Sequence, residues 1–151
     1  MIPTNNILIP GNVGTSAMTV FSYMVSESKK RNFREPEVLG QLIARLPARI
    51  TKEKALLAGW GLHYAIGVIF MTFFNGFWKH NGGKPSLLSG AKLGTASGLI
   101  GIISWKGMFE IHANPSANNL KRFFGHLILA HVVFGVFCSL AYKWTLANKK
   151  T

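Results

Sequence analysis

The sequence predicts an all-α integral membrane protein. It reads as four transmembrane helices with a short amphipathic helix at the interface between the first and second. Three observations carry this. Long apolar runs alternate with short polar ones. The charge is strongly positive, with 17 Lys and Arg against five acidic residues, all Glu, for a net +12. Most of the positive residues sit between the apolar runs rather than among them, as cytoplasmic charge in a membrane protein does and a nucleic-acid footprint does not. A chain of 151 residues fits one membrane-embedded domain. The start, MIPTNNILIP, has no positive segment, which argues against a cleaved signal peptide.

The first span is expected over residues 7–26. It is the least apolar, diluted by Pro10, Gly11, Asn12 and Gly14. Thr15, Thr19, Ser22 and Ser26 recur at helical spacing. Such a stripe either suits close contact with another helix or satisfies its hydroxyls on its own carbonyls. The amphipathic segment covers residues 36–47, with Pro36 in its first turn and Pro47 at its end. Val38, Leu39, Leu42, Ile43 and Leu46 share a face expected to enter lipid, while Arg45 and Arg49 meet anionic headgroups.

Thr51 caps the second span, residues 55–78, which is long enough for a hydrocarbon core of about 30 Å. Gly59, His63 and Gly67 share one face of it, which implies burial against another helix. Ser86 caps the third span, residues 88–111. Gly90, Gly94, Gly98 and Gly101 line one side of this helix for close packing. Lys106 and Glu110 lie on the other side, four residues apart, and can neutralise each other while the lysine snorkels. The fourth span covers residues 121–143, where His131, Gly135 and Ser139 repeat the every-fourth spacing.

The loop joining spans one and two holds eight Lys or Arg, and the loop joining spans three and four adds two, against six on the other side. That bias places both termini outside and the amphipathic segment in the cytoplasm. Trp60 and Trp105 then fall at the inner interface, and Trp78 and Trp144 at the outer one, as paired aromatic belts.

Counted inward along each helix, His63 lies roughly 10 Å deep, His131 roughly 12 Å and Lys106 roughly 8 Å, with His126 and Glu110 nearer the surface. Five ionisable residues thus occupy one half of the membrane. An ionisable group facing lipid at the centre costs at least ~2.5 kcal/mol, so such a layer is a candidate site.

Motifs for soluble enzyme chemistry are absent. No G-x-S-x-G, P-loop or cysteine pair occurs, and Cys138 is the single cysteine. Glu110 is taken as the sole membrane-embedded carboxylate, too few for a di-metal site. The expectation is an accessory or structural subunit packed among other transmembrane subunits or copies of itself, without nucleic acid and without enzymatic chemistry, in a bacterial plasma (inner) membrane. One alternative is a small proton- or ion-coupled carrier or channel that uses Lys106, Glu110, His63, His126 and His131 as relay. Another is a redox subunit holding haem b between His63 and His131.

Overall fold

The computed structural model describes residues 5–46, 50–82, 84–111 and 119–148, and the side chains of all of these except Asn5 and Ile111. These residues form five helices and no strand: α1 (Asn5–Lys29), α2 (Glu35–Ala44), α3 (Lys52–His80), α4 (Leu87–Ile111) and α5 (Leu120–Ala147). Three of them, α3, α4 and α5, are long and apolar enough to cross a membrane. The 25-residue α1 is as long as α4 but the least apolar of the four long helices.

The helix ends follow from local chemistry. The Thr51 hydroxyl accepts from the Lys54 amide at 3.4 Å, and the Asn119 side chain accepts from the Arg122 amide at 3.2 Å. Ser86 and Ser89 cap α4 reciprocally, each hydroxyl accepting the other's backbone N–H, at 3.1 and 2.9 Å. At the C-terminus of α1, Lys30 adopts φ 51°, a left-handed conformation, and the Arg31 amide returns to the Ser26 carbonyl.

The four long helices alternate in direction. Gly11 of α1 lies on Val68 and Met71 of α3, and Thr19 meets His63. On α5, the Cys138 thiol donates to the Pro10 carbonyl, and Ser22 meets His126. Helix α1 therefore runs antiparallel to both. Helix α4 packs antiparallel on α5, backbone against backbone. A Cβ on Gly94 would run into the His131 carbonyl, and one on Gly135 would meet Gly94 N at 2.8 Å. The glycine side of α4 is thus filled by α5. Helices α3 and α4 barely touch along their length. They are tied at the end bearing their connecting loop, where the Trp78 indole donates to Ser89 Oγ at 3.1 Å. There, the Tyr142 hydroxyl also donates to the buried Asn75 side chain at 2.7 Å.

Helix α2 folds back over the start of α3. Val38, Leu39 and Leu42 are buried within the chain, and Gly40 sits so close to Gly59 that a Cβ on Gly59 would meet Gly40 Cα at 2.8 Å. Most of the face expected to enter lipid is spent on the protein itself. Leu46 stays exposed, as does Arg45, and Arg49 lies outside the described residues.

Candidate functional site

Threonine and serine on α1 build the site. Thr15, Thr19, Ser22 and Ser26 are all buried. Thr15, Thr19 and Ser26 each donate to the carbonyl four residues back, at 2.8, 2.7 and 2.6 Å. Two of the four also reach other helices. Thr19 Oγ1 lies 2.9 Å from His63 Nε2. A hydroxyl has one hydrogen, and that of Thr19 goes to the Thr15 carbonyl, so His63 Nε2–H is the donor of this second bond. The small hydroxyls thus both satisfy themselves and fix their neighbours.

Ser22 carries the denser arrangement. Its hydroxyl donates to Glu35 Oε1 at 2.9 Å, and its oxygen lies 2.9 Å from His126 Nε2. By the same count of hydrogens, His126 donates to Ser22 and Ser22 donates to Glu35. His126 Nε2 is also 3.6 Å from Glu35 Oε1 directly. Three helices therefore meet in one relay of imidazole, hydroxyl and carboxyl. Phe21 stacks on the His126 ring at 5.4 Å and Phe33 tilts against it at 4.9 Å, so aromatic rings pack on the imidazole.

Glu35 is 2% exposed, and its second oxygen, Oε2, is buried without a hydrogen-bond partner among the described residues. A buried carboxyl oxygen without a donor is costly and needs a reason. Its position follows from Pro36, which fixes the start of α2 and puts Glu35 in the first turn, where a helix N-terminus favours negative charge. Outside Glu35, Arg34 closes the layer. It pairs with Glu27 and, at 3.3 Å, with Glu37, and lies 4.5 Å over the Tyr23 ring.

Beside this relay lies a cavity of about 320 Å³. Glu35 and Leu39 of α2 line it. Thr15 and Met18 of α1 and Leu127, His131 and Phe134 of α5 also line it. His63, Leu62 and Ile66 of α3 face Gly101, Ser104, Trp105 and Met108 of α4 across it. The His131 ring lies at Gly101, where a Cβ would come 3.3 Å from it, and His131 Nδ1 bonds the Leu127 carbonyl at 2.8 Å.

The structure brings His63, His126 and His131 to one end of the bundle and sets His63 and His131 on the same cavity. It does not bring Lys106 and Glu110 to them. That pair, at 3.7 Å, points away from the bundle with side chains 65% and 64% exposed. The reason is geometric. Helix α4 packs on one neighbour, α5, through its glycine side, so the opposite side must face outward. Among the tryptophans, Trp144 is exposed and Trp60 half-buried. Trp78 and Trp105 are buried against neighbouring helices. Trp78 stacks on Tyr142 at 5.2 Å, and Trp105 meets Phe123 edge-on at 5.2 Å. Gly67 lies against Thr15, and Gly90 against Gly135 and Ser139, inside the chain.

Sequence reasoning missed Glu35, Ser22 and Thr19 as site residues. A signal for Glu35 was present. It stands in helical register with Val38, Leu39 and Leu42, a carboxyl on an apolar stripe.

For a haem, His131 would keep its Leu127 bond and use Nε2. His63 would have to give up Thr19 or ligate through Nδ1. Among the described residues, no group of three or more His, Cys, Asp or Glu side chains is placed to share a metal ion. No family model matches this chain, and no curated protein or solved structure is similar to it.

Proposed function

We propose that the chain is a small proton-coupled carrier of a bacterial plasma membrane, with α1 as a fourth span and α2 on the cytoplasmic side. One observation carries the reading. The hydrogen-bonded relay from His126 through Ser22 to Glu35 ends on a carboxyl that lines a cavity within the bundle. Imidazole, hydroxyl and carboxyl in series can pass a proton from the cytoplasmic end of α5 to the cavity. The proton-handling set is thus His126, Ser22 and Glu35, with His63 and His131 on the same cavity, rather than the Lys106–Glu110 pair. Both termini would lie outside, and Arg45 and Arg49 would rest on anionic headgroups.

The test is proton uptake into liposomes containing the purified chain, driven by an imposed potassium diffusion potential. Uptake above that of protein-free vesicles, lost in Glu35→Gln and in His126→Gln, is the expected result. Uptake equal to protein-free vesicles, or unchanged in both variants, overturns the reading.

An accessory subunit is the second reading, favoured by the outward Lys106–Glu110 pair on the flank of α4 among exposed Leu99 and Ile103. A partner helix carrying a complementary pair would dock there. The glycine faces lend it nothing, since they are filled within the chain. Co-purification from native membranes tests it, and a chain that migrates alone as one homogeneous species counts against it.

A further inference from the structure

We infer that the cavity binds a lipophilic amine in its protonated form, entering from the bilayer between α3 and α4, with its ammonium on Glu35. This names the cargo of the carrier proposed above and rests on that reading for its physiological meaning.

Three independent features converge. The first is the way in. Helices α3 and α4 are tied at their loop end by Trp78 and Ser89 and barely touch elsewhere. Leu62, Ile66 and Ser104, which line the cavity, are also exposed on the outer surface of these two helices. Both helices are apolar enough to span a membrane, so the slot between them opens sideways toward lipid. A molecule already dissolved in the bilayer can reach the cavity without crossing water.

The second feature is the character of the walls. Met18, Ile66, Phe70, Trp105, Leu127 and Phe134 dominate the cavity, which suits an apolar body. The aromatic faces of Phe70, Trp105 and Phe134 also attract a cation, more strongly where water is excluded.

The third is the head group required. Glu35 lines the cavity, and its Oε2 has no donor among the described residues. Oε1 is already supplied by Ser22. An ammonium gives the missing donor and a balancing charge together, as a charge-assisted hydrogen bond. An alcohol of the same length gives a donor without the charge, and a carboxylate gives neither.

The experiment is equilibrium binding of radiolabelled n-decylamine to the full chain in lipid nanodiscs, corrected against empty nanodiscs, with n-decanol as competitor. A saturable component is expected, against which decanol competes at least about tenfold more weakly than unlabelled decylamine. Glu35→Gln should weaken decylamine by at least about tenfold. Ser104→Trp, at an exposed position in the slot, should weaken it similarly while leaving Glu35 in place. If Glu35→Gln fails to fold, Ser104→Trp locates the site and the decanol comparison identifies the ammonium. No saturable component, equal competition by decanol, or undiminished binding in Ser104→Trp or in a folded Glu35→Gln overturns the inference. Binding is measured without a gradient. Intact amine binding with no proton uptake therefore overturns only the carrier, and Glu35-dependent uptake without amine binding overturns only this inference.

Discussion

The Ser22 hydroxyl of α1 donates to Glu35 Oε1 of α2 at 2.9 Å, across a turn that reverses the chain. Ser22 Oγ in turn accepts from His126 Nε2 of α5. One hydroxyl thus holds three helices together and orients the carboxyl that lines the cavity. Ser22→Ala removes the donor to one buried group and the acceptor of another. Leaving such groups unsatisfied costs about 2 kcal/mol. The expected outcome is a lowered midpoint in reversible denaturant unfolding in detergent. A midpoint equal to that of the natural chain would show that the hydroxyl is not the link.

The other end of the bundle has its own polar tie. Tyr142→Phe leaves the buried Asn75 side-chain oxygen without its donor, at a cost of about 1–3 kcal/mol. Replacing both partners, as Asn75→Leu with Tyr142→Phe, should recover part of that loss. A double-mutant cycle measures the coupling. Strictly additive losses would mean that the 2.7 Å contact contributes nothing.

Glycine on these helices divides into two kinds that sequence spacing alone does not separate. Gly94 faces the His131 carbonyl directly, whereas Gly76 has open space where its Cβ would be. Gly94→Ala should destabilise by about 1–3 kcal/mol by forcing α4 away from α5. Gly76→Ala should stabilise by up to about 1 kcal/mol, through helix propensity and reduced backbone entropy. Thermal melts of the two variants in one detergent should shift in opposite directions. Shifts of the same sign would argue against the close crossing.

How far the sequence could be read depended on the range of the interaction. The apolar runs and caps are local, so the spans expected over 55–78, 88–111 and 121–143 lie within or beside α3, α4 and α5. The glycine side of α4 was legible for the same reason, since its spacing fixes which residues share a face. For Glu35 the local signal is only its register with Val38, Leu39 and Leu42, and it is masked by the charged run ESKKRNFREPE around it. Its burial needs α2 to fold back onto α3 and Ser22 to arrive from α1, neither of which is written locally. The same limit applies to Lys106 and Glu110. Their wheel position was plain, but whether a neighbour covers that side depends on α4 having one packing partner. Trp78 and Trp105 were read from their distance to the helix ends, whereas partners across the bundle, Tyr142 and Phe123, decide their burial.

Lys30 ends α1 in a left-handed conformation that residues other than Gly, Asn and Asp adopt at a cost of about 1–2 kcal/mol. Glycine adopts it freely but loses more backbone entropy on folding, which offsets part of the gain. Lys30→Gly should therefore stabilise by less than about 1 kcal/mol, without altering proton uptake or amine binding. Destabilisation would indicate that the lysine side chain contributes through its own contacts.

Glu35 and Glu110 sit in opposite surroundings, one inside the bundle and one on its flank. Glu110 and Lys106 form an i, i+4 pair on the outer side of a spanning helix, with both side chains about two-thirds exposed, and neutralise each other there. Glu35 is buried, accepts from Ser22 and lines the cavity. The double variant Lys106→Gln with Glu110→Gln keeps the outer face of α4 neutral overall. Its proton uptake should match that of the natural chain, while Glu35→Gln loses uptake. Loss of uptake in the Lys106 and Glu110 double variant, with retention in Glu35→Gln, would move the proton path from the inside of the bundle to its flank. That outcome would instead favour a partner helix docked on α4 as the other wall of the path.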